Sequence, residues 1–195
     1  MRLLLASKSK TRRRMLEAAG VPFVAMDALL DEEAAKRRFG EMGAADLAGA
    51  LAEAKARSVH ADTSDLVLGS DQILERDDGT MLSKPSSRDE ALGQLRSLSG
   101  RTHRLHSAAA IVEGGETVWR AVESVALEVR PLSDEFLHGY LDEEYEAIRW
   151  SVGGYRIEGL GAQLFERIEG SHFAILGMPL LPLLAYLRER GLLPS

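Results

Sequence analysis

An α/β fold, a mixed β-sheet flanked by helices, is what this 195-residue sequence predicts. Three observations point to it. Strand-like and helix-like segments are interspersed along the chain. After Arg101 the strand-like segments come as a hairpin, which a mixed sheet accommodates and a purely parallel one does not. The chain is 45% hydrophobic and of a length that suits a single domain over 1–195 with one sizeable core.

The elements follow in order. Arg2-Leu3-Leu4-Leu5-Ala6 reads as a short buried strand. Ser7-Lys8-Ser9 then turns into a helix from about Lys10 to Ala19, stopped by Gly20. Val21 to Met26 is a second strand. Asp31 to Val59, rich in Ala, Glu, Lys and Arg, reads as two helices broken near Gly40 to Gly43. Asp65 to Asp71 is an apolar strand ending on small residues and a carboxylate, and Gln72 to Glu75 continues it towards a hairpin turn at Asp77-Asp78-Gly79. Ser87 to Leu98 is helical, with Ser87 and Glu90 spaced as a capping box. Thr102–Val112 and Glu116–Val129 are long strands joined at Gly114-Gly115. Ser133 caps a helix to Leu141. Ser151 to Gly161 is a glycine-rich loop, Phe173 to Leu176 a short strand, and Pro179 to Arg190 a closing helix.

Composition narrows the function. There is no Cys, which excludes disulfides, thiolate zinc sites and a Cys nucleophile. The apolar run after Arg2 is too short for a signal sequence, and Leu176 to Leu187 is too short to span a bilayer and holds two prolines. A cytoplasmic protein without a membrane partner is expected. Net charge is -6, which argues against a nucleic-acid binder. Yet Arg2, Lys8, Lys10, Arg12, Arg13 and Arg14 put six positive charges and no negative one in the first fourteen residues. Such a local cluster in an acidic chain suits a small anionic ligand.

Four constellations can carry chemistry. The Ser7-Lys8-Ser9 loop feeds a helix N-terminus, whose free N–H groups favour anions, and Arg12 and Arg13 can bind phosphate oxygens in a bidentate fork. Taken alone, it reads sooner as a Ser-capped surface helix with solvated arginines, since basic runs are usually solvated faces. Asp71, after small residues that let a ligand approach, can hold a divalent metal or orient a water. Lys55, on an alanine-lined helix, and Lys84, before a proline, can neutralise phosphate, though each type is usually a surface lysine. Four glycines in the nine residues from Gly153 to Gly161 let backbone pass close to a flat ligand, and Glu158 between them can accept from base N–H groups. His103 and His106, three apart on a strand, face opposite sides and do not make a metal triad.

In this order the pieces resemble the Maf family of nucleoside triphosphate pyrophosphatases. The matching strings are Leu5-Ala6-Ser7-Lys8-Ser9 with Arg12-Arg13, Leu30-Asp31-Glu32, Leu51-Ala52 with Lys55-Ala56, and Leu68-Gly69-Ser70-Asp71-Gln72. Ser83-Lys84-Pro85, Leu98 to His103, Gly153 to Gly161, Ile168 to Ser171 and Ile175 to Leu180 complete them, covering nearly the whole chain.

The resemblance implies an elongated fold of two lobes around a deep central cleft, similar to inosine triphosphate pyrophosphatases. It implies hydrolysis of a nucleoside triphosphate between the α and β phosphates to a monophosphate and pyrophosphate, with Mg²⁺ or Mn²⁺, clearing modified or non-canonical nucleotides. Asp71 matches the catalytic acid and proton acceptor; with Glu32 it is the expected metal holder. Ser7, Ser9, Arg12, Arg13, Lys55, Gln72, Lys84 and Glu158 are the expected substrate contacts, with Arg12, Gln72 and Glu158 at positions linked to substrate choice. Ser70-Asp71-Gln72 and Ile157-Glu158-Gly159 look like the subgroup associated with 7-methyl-GTP, whereas Ser99 to His103 looks like the pyrimidine-type string. The family leans to homodimers. Its tie to cell-division arrest leaves an alternative, a nucleotide-binding regulator of septum formation with incidental hydrolysis.

Overall fold

The computed structural model describes residues 1–194. In chain order these form β1 (Leu3–Ala6), α1 (Lys10–Ala18), β2 (Val24–Met26), α2 (Glu32–Phe39), α3 (Ala44–Arg57), β3 (Leu66–Arg76) and β4 (Met81–Leu82). Then come α4 (Arg88–Leu98), β5 (Thr102–Glu113), β6 (Glu116–Val129), α5 (Asp134–Ile148), β7 (Phe165–Glu169), α6 (His172–Ile175) and α7 (Leu180–Glu189). Two 3₁₀ turns, Val152–Gly154 and Leu160–Leu164, lie between α5 and β7.

The sheet has seven strands in the order β2-β1-β3-β5-β6-β7, with β4 added to β3. β1 runs parallel to both β2 and β3, while β4 is antiparallel to β3 and β7 to β6. The expected mixed α/β sheet is therefore present. Gly114 and Gly115 both take positive φ (57° and 88°), the backbone a two-residue hairpin between β5 and β6 needs. No helix among the described residues is long and apolar enough to cross a membrane.

The chain forms two compact units. The first comprises Met1–Gln72, His106–Glu123 and the described residues from Ser171 onward. Its sheet is covered on both faces. Leu3, Leu5, Leu66 and Leu68 pack with Met15 and Leu16 of α1 and Leu183 and Leu187 of α7. Leu4, Ala6 and Val67 point the other way, against Ala56 of α3. This explains why β1 and the start of β3 are unbroken apolar runs. Each buried leucine contributes roughly 1.5–3 kcal/mol relative to exposure.

The second unit comprises Ile73–Leu105 and Ser124–Gly170. Its centre holds a small aromatic cluster. The Tyr155 ring lies 5.6 Å from His103 and 4.9 Å from Phe165. Gly153 has φ 78°, and a Cβ there would meet Leu74 Cδ1 at 2.5 Å, so the glycine-rich loop packs onto β3 through the absence of side chains.

β3 runs on past Asp71 as expected: Ile73 and Leu74 are buried, and pairing of Leu74 with Leu82 and Glu75 with Met81 carries the strand to Arg76. Several other expectations are corrected. Phe173 to Leu176 is not a strand but the helix α6, bracketed by Gly170 and Gly177 at positive φ. So short an apolar run fits either element. α5 extends to Ile148, because Leu137, Tyr140, Leu141, Glu144 and Ile148 recur at helical spacing and the charge of Glu144 is met by Arg156 at 2.6 Å. β2 is shorter than Val21–Met26. β7 was not expected at all; three of its five residues are charged. The capping box is shifted: Ser87 Oγ accepts from the Glu90 N–H at 3.1 Å, but Glu90 accepts from the Ser86 N–H at 2.7 Å rather than from Ser87.

Candidate active site

β1 and β3 run side by side in parallel, with Ala6 opposite Gly69. Ser7 and Asp71 thus lie at the carboxyl ends of parallel pairing, the end where open α/β sheets present ligand-binding groups. Ser7 Oγ accepts from the Ser9 N–H (3.2 Å), and Ser9 Oγ caps α1 by accepting from the Arg12 N–H (3.3 Å). Both hydroxyls act here as acceptors, so each keeps its own proton to donate. The first intrahelical bond runs from the Arg13 N–H to the Ser9 carbonyl, so the N–H groups of Lys10 and Thr11 precede it.

The two arginines divide their work. Arg13 donates from Nε and Nη2 to the Ser7 carbonyl (3.3 and 3.0 Å) and braces the loop. Arg12 donates from Nε to the Gly177 carbonyl at 2.8 Å. Burial pushes the Arg12 guanidinium down from its ordinary value, and the charges of Asp71 and then Glu32 oppose that. Arg12 therefore senses both carboxylates.

β3 alternates its side chains between the two faces of the sheet. Val67, Gly69 and Asp71 face α3; Leu66, Leu68, Ser70 and Gln72 face away from it. Gly69 is where α3 comes closest: a Cβ there would lie 2.0 Å from the Ala52 carbonyl oxygen and 2.7 Å from the Ala56 nitrogen. The missing side chain at Gly69 thus admits a helix. This close approach brings Lys55 to Asp71. Lys55 Nζ lies 2.5 Å from Asp71 Oδ1 and 2.9 Å from Glu32 Oε1. Lys55 is buried, against the usual surface reading, and Asp71 is 6% exposed. Glu32 opens α2, whose first turn is capped by Asp31 accepting from the Ala34 N–H at 2.9 Å.

On the other face Ser70 Oγ donates to the Gly177 carbonyl at 2.9 Å. Gln72 Nε2 lies within 2.9 Å of Ser107 Oγ and Ala174 O, and 3.1 Å of Ile175 O. Its amide nitrogen is committed to the chain's own groups, on the side of the sheet away from Asp71. Ser70 and Gly177 lie in strings that the sequence singles out but were given no role of their own, and Ser107 lies in none. Ser70 is 0% exposed.

Ser7, Ser9, Arg12, Arg13, Glu32, Lys55 and Asp71 are thus gathered in the first unit. Lys84 and Glu158 belong to the second. Lys84 is exposed between β4 and α4, and Glu158 is exposed in the turn between the two 3₁₀ segments, where its charge helps raise Arg156. Among the described residues no group of three or more His, Asp or Glu side chains is placed to hold a metal. Asp71 and Glu32, two hard oxygen donors drawn to one cation, fit a different type of site. Mg²⁺ is commonly held by one or two carboxylates and completed by substrate phosphate oxygens.

The model of the Maf-like protein family matches residues 2–190. The chain belongs to that family. This Maf-like protein is 46% identical over 198 residues to a nucleoside triphosphate pyrophosphatase of Sphingopyxis alaskensis, covering 100% of both chains. It is 50% identical over 193 residues to a 7-methyl-GTP pyrophosphatase of Rhizobium meliloti, covering 97% of this chain and 96% of that one. A solved structure described as a nucleoside-triphosphatase or dITP/XTP pyrophosphatase of Mycobacterium abscessus overlaps 66% of this Maf-like protein and 73% of its own chain, at 18% identity and a TM-score of 0.38.

Proposed function

We propose that this Maf-like protein hydrolyses nucleoside triphosphates between the α and β phosphates, releasing a nucleoside monophosphate and pyrophosphate. The observation that carries the proposal is the convergence of Asp71 and Glu32 on Lys55, beside the N-terminus of α1 and Arg12. Asp71 is the proton acceptor. In the nucleotide-free protein its Oδ1 accepts from Lys55; in the reaction the carboxylate takes a proton from the water that attacks phosphorus. The bond from phosphorus to the bridging oxygen breaks, and its electrons leave with pyrophosphate.

Arg12, the Ser7 and Ser9 hydroxyls, the leading N–H groups of α1 and Lys55 meet the triphosphate charge, which grows on the leaving group as the bond breaks. Asp71 and Glu32 are the residues that would hold Mg²⁺ or Mn²⁺. Such an ion, when bound, supplies Lewis-acid stabilisation of phosphate oxygens.

Two features support a 7-methyl-GTP-like preference. One is the name of the Rhizobium meliloti relative. The other is Glu158, whose carboxylate can accept from the N–H groups on a guanine edge, a pairing that uracil does not offer in the same geometry.

The test is product analysis with Mg²⁺ or Mn²⁺ and a panel of UTP, dTTP, CTP, GTP and 7-methyl-GTP. Pyrophosphate and the matching monophosphate are expected, with 7-methyl-GTP fastest. Release of single phosphate, or nucleotide bound and returned intact, overturns the proposal; intact return would favour a nucleotide-binding regulator.

A further inference from the structure

Lys55 occupies the place a metal ion would be drawn to. Its ammonium is the shared counter-charge of Asp71 and Glu32, at 2.5 and 2.9 Å, and Lys55 and Asp71 are both buried. Two carboxylates this close to one cation repel each other, and low local dielectric makes that repulsion costly without a positive charge between them. A divalent ion entering here has to compete with a cation already in place.

The backbone that carries Lys55 is seated closely on the sheet. α3 lies directly on β3, with Ala52 O and Ala56 N both inside ordinary contact distance of any Cβ at Gly69. The four-carbon stem of the lysine is the flexible part. An ammonium leaving the carboxylates needs a new anionic partner to avoid burial unpaired, and a phosphate oxygen of the substrate is the chemical match.

We infer that Lys55 is an exchangeable resident cation: it blocks the Asp71–Glu32 pair against divalent metal in the free protein and yields it when nucleotide phosphate takes over the ammonium. Metal and nucleotide then bind cooperatively, and by linkage each raises the affinity of the other by the same factor. The inference rests on the proposed phosphohydrolase site and adds an order of assembly to it.

The test is direct Mn²⁺ binding to the nucleotide-free protein, by calorimetry or by the free-ion electron spin resonance signal. Wild type is expected to bind weakly. Lys55→Met is expected to bind about tenfold tighter or more, within the usual range of about 5–150-fold for such coupling. Lys55→Arg, which keeps the charge, is expected to stay weak. Lys55→Met binding no tighter than wild type overturns the inference.

A second measurement needs no variant protein to fold well. In ¹⁵N-lysine-labelled wild type, the Lys55 side-chain resonance is expected to shift when Mg²⁺ and a non-hydrolysable α,β-methylene nucleotide are added together. A resonance unmoved at saturation overturns the exchange. Pyrophosphate release by the wild type without the Mn²⁺ gain in Lys55→Met sinks the exchange alone; the gain in Lys55→Met without pyrophosphate release by the wild type sinks the hydrolase proposal alone.

Discussion

The Cβ that Gly69 lacks would stand 2.0 Å from the carbonyl oxygen of Ala52. That absent methyl lets α3 settle on β3, and it fixes how far Lys55 stands from Asp71. A glycine inside a strand usually weakens it; here it is the contact surface for a helix.

Gly69→Ala is therefore expected to act twice. Overpacking of this kind costs about 1–3 kcal/mol, read as a lower urea midpoint. Displacing α3 also moves Lys55 away from Asp71, and misplacing a catalytic arrangement by ~1 Å costs about a hundredfold in turnover. Wild-type stability and turnover in this variant would contradict the close approach.

Glu158→Gln tests base recognition separately from chemistry. The ratio of kcat/KM for 7-methyl-GTP over UTP is expected to change by about tenfold or more, since a polar pairing is lost for one base and not for the other. An unchanged ratio removes Glu158 from base reading.

His103 predicts a pH dependence of stability. It is 1% exposed, its Nε2 meets the Tyr155 hydroxyl at 2.6 Å, and its buried Nδ1 has no hydrogen-bond partner. Burial pushes its pKa down from 6.5 to about 4. The unfolded chain then binds more protons than the folded one between those values, so stability rises with pH across that window and is lost as pH falls through it. The contribution is roughly 3 kcal/mol at neutral pH relative to pH 4. Urea midpoints from pH 4 to 7.5 should show the slope, and His103→Phe should flatten it. An equal slope in both proteins assigns it elsewhere.

Removal of divalent ions should separate activity from stability. A chelator is expected to stop pyrophosphate release, and Mg²⁺ or Mn²⁺ to restore it. The melting midpoint of the nucleotide-free protein should hardly move, because a weakly bound ligand stabilises little. A large drop on chelation would show tight metal binding without nucleotide.

Much of the fold was legible because its signals are local. Leu3–Ala6 and Leu66–Leu68 are apolar runs that belong between two covering layers, Gly114-Gly115 is a turn by composition, and Gly40 separates two helices. What was hidden depends on partners far away in sequence. Glu144 breaks the apolar pattern of α5 until Arg156 is seen beside it. The burial of Lys55 cannot be read from its alanine neighbours, since it depends on Asp71, sixteen residues on, and on Glu32. Gln72 follows Asp71 in sequence, yet strand alternation turns it to the opposite face, onto Ala174 and Ile175. The candidate site was thus legible as a set of residue types, and its geometry was not.

Asp71→Asn is the most direct test of the proposed chemistry. Pyrophosphate release from the best substrate should be followed with Mg²⁺ in wild type and variant, alongside nucleotide binding. Loss of a general base typically costs about 10²–10⁴ in rate, so turnover should fall at least a hundredfold while nucleotide still binds. Turnover close to wild type in Asp71→Asn would contradict Asp71 as the proton acceptor and the mechanism built on it.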